Sequence, residues 1–143
     1  MLTPFVHNGE SKLDGQRRFT VPAADRDAVG KTAFIYKPPQ FDCLYIYNAE
    51  TWESVYSDRV EATRNMPDGE SVRRKFVSRM TSVDVDSGYR ITIPLKMFEK
   101  AMLKKDIVIL GSGKHMELWD AEIYRVQVEE AENEYDTDSG FVM

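Results

Sequence analysis

Short stretches of the chain alternate between apolar and polar residues. Arg18-Phe19-Thr20-Val21 and Arg90-Ile91-Thr92-Ile93 set arginine and threonine on one side and apolar side chains on the other. A period of two is that of a strand buried on one face only. Denser apolar runs predict further strands at Thr32–Tyr36, Cys43–Tyr47, Asp106–Leu110 and His115–Trp119. Lys37-Pro38-Pro39-Gln40 joins the first pair, and Gly111-Ser112-Gly113 turns the second. The first dozen residues carry no clear pattern; Phe5 and Val6 are the candidates for a short opening strand before Leu13.

Other stretches are spaced for helices. Pro22 and Pro94 each end a strand and suit the start of a helix. Ala23–Val29 reads as a short helix stopped by Gly30, and Leu95–Lys104 as an amphipathic one with Leu95, Phe98 and Met102 on one stripe. Asn48 and Asp120 stand at N-cap positions before Ala-Glu openings. The helices that follow carry Trp52, Val55, Tyr56 and Val60, then Ile123, Tyr124, Val128 and Ala131, at core spacing. Met66-Pro67-Asp68-Gly69 breaks the chain, and a helix from about Glu70 to Met80, with Val72, Phe76 and Met80 inward, leads on. The fold class is α+β with small antiparallel sheets.

The chain says much of this twice. Asp14-Gly15-Gln16-Arg17-Arg18-Phe19-Thr20-Val21-Pro22 returns 72 residues later as Asp86-Ser87-Gly88-Tyr89-Arg90-Ile91-Thr92-Ile93-Pro94. The same ungapped offset lays Ile35 on Ile107 and Asn48-Ala49-Glu50 on Asp120-Ala121-Glu122, seven identities in one register. That is an internal duplication, and two copies suit a pseudo-twofold pair of half-domains better than a solenoid. Residues 1–72 form the first half, 73–130 the second, and 131–143 an acidic, flexible tail. Within a half the order is strand, turn, strand, short helix, strand, strand, helix.

Composition narrows the function. With 143 residues, 42% apolar and 30% charged, the chain has room for one ordinary domain. No apolar run approaches the roughly 20 residues of a membrane span, and no secretory leader opens the chain. The single Cys43 reads as a small buried hydrophobe in a reducing, cytoplasmic setting. Net charge is −5, which by itself opposes a nucleic-acid partner. Yet six of the 24 acids lie between Glu129 and Asp138, and the remaining 18 nearly balance the 19 bases. His7 and His115 have no partners at metal-ligand spacing, and Gly111-Ser112-Gly113-Lys114 lacks P-loop spacing. The expectation is a non-enzymatic protein without a cofactor or metal. Arg73-Arg74-Lys75 and Arg79 read as the solvated face of a helix.

The duplicated Asp-x-x-x-Arg-apolar-x-apolar-Pro motif resembles the MraZ family. Cys43-Leu44-Tyr45-Ile46-Tyr47, Trp52 and the Gly113-Lys114-His115-Met116-Glu117-Leu118-Trp119-Asp120 run extend the likeness from about Leu13 to Glu130. MraZ proteins are bacterial transcription regulators related to the AbrB/SpoVT-like swapped-hairpin DNA binders. The resemblance implies a fold of duplicated swapped-hairpin, double-psi-like β half-barrels with flanking helices, interlocked within one chain. It implies Arg18 and Arg90 as DNA-contacting residues, with Asp14 and Asp86 bracing the turns. Arg17, Lys12, Thr20 and Thr92 are the candidates for neighbouring phosphate or base contacts. The family usually writes Asp-x-Lys-Gly-Arg; here Lys-Gly is replaced by Gln16-Arg17 and Gly88-Tyr89, so the lysine is lost from both copies.

The function implied is a repressor, cytoplasmic and nucleoid-associated. It would bind short repeated boxes in double-stranded DNA, at a cell-wall and division gene cluster that includes its own promoter. It would assemble as a homo-oligomer, in a ring. The rival from another class is a ring-forming or antitoxin-like protein–protein module, which the lost lysines and acidic tail favour.

Overall fold

The computed structural model describes residues 4–132, so most of the expected acidic tail lies outside the described residues. The first half runs β1 (Asn8–Lys12), β2 (Arg18–Thr20), a 3-10 turn (Ala23–Asp25), α1 (Arg26–Val29), β3 (Thr32–Tyr36), β4 (Cys43–Tyr47) and α2 (Ala49–Thr63). After α3 (Gly69–Ser78) come β5 (Met80–Asp84), β6 (Arg90–Thr92), α4 (Leu95–Lys100), β7 (Asp106–Gly111), β8 (Met116–Asp120) and α5 (Ala121–Tyr124). A wider π-helical turn, Arg125–Glu129, continues α5.

In place of several small sheets there is one antiparallel six-stranded sheet, ordered β1-β7-β8-β4-β3-β5, and a two-stranded ribbon of β2 and β6. The halves trade edges. β1, from the first half, pairs with β7 of the second, Asn8 opposite Leu110 and Lys12 opposite Asp106. Its counterpart β5, 72 residues on, pairs with β3 of the first half, Thr32 opposite Asp84 and Tyr36 opposite Met80. The centre of the sheet is the β4–β8 pair, where Leu44 meets Leu118.

Alternation along these strands sorts two cores. Ala33, Ile35, Leu44, Ile46, Ile107, Ile109, Met116 and Leu118 cover one face, packed with Phe19, Val21, Ile91 and Ile93 from the ribbon. Burying each of the larger side chains contributes on the order of 2 kcal/mol. On the other face Tyr36, Tyr47, Trp52 and Phe76 form an aromatic cluster under α2 and α3. Trp52 stacks on Phe76 with ring centroids 5.3 Å apart. Trp52 is thus packed within the chain.

Caps stand where expected. Asn48 Oδ1 accepts from Thr51 N at 2.7 Å while its amide donates to Ala28 O, tying α2 to α1. Asp120 Oδ2 accepts from the backbone N–H groups of Glu122 and Ile123.

Several expectations fail for identifiable reasons. Phe5 makes only an isolated bridge to Gly113; the opening strand is Asn8–Lys12, a polar edge strand with no alternation to reveal it. α4 ends at Lys100, and Met102 turns the chain at φ 58°, so the Leu95–Met102 stripe is never completed. Met97 and Ala101 are the buried pair, and Leu95 and Met102 are exposed. α3 ends at Ser78, which leaves Met80 to begin β5. On α2, Tyr56 is exposed, and Ala131 is exposed beyond the π-helical turn.

Candidate nucleic-acid interface

Each Asp-x-x-x-Arg motif folds into the same closed turn. Asp14 N donates to Arg18 O and Arg17 N donates to Asp14 O, at 2.9 and 3.0 Å. Asp86, Tyr89 and Arg90 repeat both bonds at 3.0 Å. The aspartate side chain fills the loop. Asp14 Oδ1 accepts from the backbone N–H of Gln16 and Arg18 at 2.8 and 2.9 Å. Asp86 Oδ1 accepts from Gly88 and Arg90, both at 2.8 Å. The backbone N–H of the motif arginine, above all, holds each carboxyl below its usual range, with the guanidinium and the second N–H adding to the effect.

The second carboxylate oxygen orients the arginine. Arg18 Nε donates to Asp14 Oδ2 at 2.8 Å, and Arg90 Nε to Asp86 Oδ2 at 2.9 Å. Such exposed pairs add little stability. Their consequence is directional: with Nε occupied, the paired Nη groups of each guanidinium remain to meet a ligand.

The turn needs one residue in the left-handed region. That residue is not Gly15 or Gly88, the glycines the motif supplies, but Arg17 and Tyr89, both at φ 59°. Away from glycine this conformation costs roughly 1–2 kcal/mol. Both side chains reach across to the other half. Arg17 Nε donates to Ile93 O at 3.0 Å. The Tyr89 ring lies under the Arg26 guanidinium, 4.6 Å from its centroid, and Arg26 Nε donates to Val21 O. Reading the residues alone missed Tyr89; the glycine that the family usually has at this place was the available signal.

Beyond the turns, β2 and β6 pair across the pseudo-twofold with Arg18 opposite Thr92, Phe19 opposite Ile91 and Thr20 opposite Arg90. Phe19 and Ile91 are buried, while Thr20, Arg90 and Thr92 are exposed and Arg18 is half-buried. Four of the sequence-predicted site residues thus share one outward face, with the two arginines on a diagonal. Lys12 is not on the ribbon; it ends β1 opposite Asp106 in the large sheet. Arg17 lies beside the ribbon with its Nε committed to Ile93.

Other singled-out residues have partners elsewhere. His115 stacks on Tyr45 at 4.0 Å and approaches Glu117 Oε2 at 3.3 Å, and Glu117 Oε1 accepts from Trp119 Nε1. The hydrogen bond from His115 lowers the Glu117 pKa against the opposing effect of burial, while burial pushes the Tyr45 and Tyr47 hydroxyls up to about 12. Cys43 is buried and its thiol pKa is raised by that burial. Arg73 donates to Thr63 Oγ1 at 2.8 Å and so braces α3 against α2. Among the described residues no cluster of His, Cys, Asp and Glu could hold a metal ion, and no helix is long and apolar enough to cross a membrane.

Two successive segments, residues 5–75 and 76–140, match the family model described as "MraZ protein, putative antitoxin-like". A protein of Methylibium petroleiphilum named "Transcriptional regulator MraZ" is 34% identical over 92% of this chain and 90% of its own length. One of the same name from Treponema denticola is 32% identical over 89% and 90%. Another, from Ureaplasma urealyticum, is 29% identical over 84% and 83%.

Proposed function

The chain belongs to the MraZ family, and from that premise we propose that it is a transcription regulator that binds double-stranded DNA through the β2–β6 ribbon. The carrying observation is the outward face of Arg18, Thr20, Arg90 and Thr92 on paired strands. A two-stranded ribbon fits a major groove about 12 Å wide, and an arginine fork can hold guanine O6 and N7 through two bonds. Asp14 and Asp86 hold each fork in place before contact. The threonine hydroxyls serve neighbouring bases or phosphates. Arg17 supplies charge beside the ribbon, and Lys12 lies further out as a phosphate contact.

In this reading residues 1–72 and 73–130 are the two halves and 131–143 the acidic tail. The exchange of β1 and β5 supports descent from AbrB-like swapped hairpins. One ribbon presents few cations, so a homo-oligomer, a ring, engages repeated short boxes at high effective concentration. Exposed Leu95 and Met102 are candidates for the subunit contacts. The output is repression of a cell-wall and division gene cluster, including the protein's own promoter, in the cytoplasm at the nucleoid.

The test is selection of fragments from host genomic DNA, followed by mobility shift of the recovered boxes. Repeated boxes bound with a steep salt dependence are expected, together with loss of specific binding in Arg18→Ala at unchanged oligomer mass. Normal binding by that variant would remove Arg18 as a reader. Recovery of no enriched sequence would favour a protein–protein module.

A further inference from the structure

The two halves differ most tellingly at one pair of equivalent places. In the first half Asp25, fully buried, accepts from the backbone N–H groups of Val6 and His7 at 2.8 and 3.2 Å. That closes the chain entering β1 against the 3-10 turn. At the 72-residue offset Asp25 becomes Met97, and Val6-His7 becomes Ser78-Arg79. No carboxylate remains to close the equivalent gap, and a cleft of about 330 Å³ opens between the start of β5, the β3–β4 connection and α4.

The cleft is basic. Lys37, Arg79, Lys96 and Lys100 line it, with the hydroxyls of Ser78 and Thr81, and none of its nine lining residues is acidic. At the offset, Lys96 and Lys100 correspond to Ala24 and Ala28, so these two charges have no counterpart in the first half. Among the described residues neither these two lysines nor Arg79 forms an ion pair. Lys37 Nζ is held by the carbonyls of Pro38 and Phe41, both at 2.7 Å, which fixes its charge at the rim. Like charges crowded without counterions are unfavourable in the free protein, and an anion relieves that repulsion.

We propose that this cleft is a phosphate-binding site that takes the backbone of the duplex lying on the ribbon, an inference that rests on the DNA reading above. Pro94, two residues beyond the ribbon strand β6 and the N-cap of α4, forms part of its wall, so the cleft begins just past the end of β6. Contacts of this kind position a protein on DNA without reading sequence. The second half therefore supplies most of the electrostatic grip, and the chain binds its duplex asymmetrically despite its pseudo-twofold.

The experiment compares three full-length proteins on one selected duplex across a salt series: wild type, Lys96→Gln/Lys100→Gln, and Lys31→Gln/Lys114→Gln as a control of equal charge change. Loss of two phosphate contacts should flatten the log–log salt slope by about 1.8. Affinity should fall roughly tenfold or more with base preference unchanged, and the control should match wild type. A cleft variant that behaves as wild type, or a control that loses as much, overturns the proposal. If Arg18→Ala abolishes base preference while the cleft variant is unaffected, the cleft alone fails. If wild type binds no duplex, the DNA reading fails, and the cleft as a phosphate site is judged by inorganic tripolyphosphate. Saturable NMR shifts at Arg79, Lys96 and Lys100 retain it, and their absence overturns it.

Discussion

Phe19 faces Ile91 across the ribbon, one residue from each half, and both are buried against the large sheet. This contact clamps the ribbon down so that its opposite face must look outward. Phe19→Ala should destabilise the protein by about 3–5 kcal/mol, and Ile91→Val by only about 0.5–1.5 kcal/mol. Urea unfolding followed by tryptophan fluorescence measures both.

The aspartate braces predict a positioning effect distinct from charge. Asp14→Asn keeps an oxygen for the turn but weakens its hold on the guanidinium of Arg18. If Arg18 reads bases as proposed, preference at the positions it contacts should relax roughly tenfold or more, with the salt slope almost unchanged. A uniform loss across all sequences would instead show a general electrostatic role.

Arg17 and Tyr89 allow a test of backbone strain with side-chain loss held constant. At each position the Gly variant should be more stable than the Ala variant by about 1 kcal/mol, because only glycine enters the left-handed region freely. Elsewhere on the surface the order reverses, since glycine has more freedom to lose on folding. Equilibrium unfolding of the four variants decides.

Acid should loosen the turns late. Asp14 and Asp86 have folded pKa values below those of the unfolded chain, so their contribution is fully present above the unfolded carboxylate range. It is lost only as pH falls through the depressed folded values. Carboxyl carbon NMR should show both titrating below ordinary aspartates, with the amide signals of Arg18 and Arg90 moving in step. Titration at the ordinary value would mean the turns are open in solution.

Gly111 bears on the edge exchange. A Cβ there would lie 2.4 Å from backbone atoms of Phe5 and Val6. Gly111→Ala should cost about 1–3 kcal/mol and free the amino-terminal segment, read as faster amide exchange at Phe5 and along β1.

The two strands of the ribbon were legible in advance because their signal is local: a period of two, written twice in one register; their pairing with each other was not. Asp14-Gly15 and Asp86-Ser87-Gly88 likewise foretold a turn. Interlocked halves were implied only by the family resemblance; which strands exchange was not legible, because pairing between distant strands leaves no local trace and Asn8–Lys12 is polar on both faces. α4 misled because a helix of six residues is too short for a stripe that spans the eight from Leu95 to Met102. The left-handed residues escaped because the motif offers glycines one and two places earlier. The basic cleft becomes visible only when Asp25 and Met97 are compared as equivalents in space.

A homodimer cannot alter one side of its axis without altering the other, because a single coding sequence specifies both. Joining the exchanged halves through α2 and α3 removes that restriction. Each edge strand still pairs with a strand of the other half, yet each half can diverge independently. If the ribbon reads DNA as proposed, Arg18 and Arg90 can therefore come to prefer different base steps.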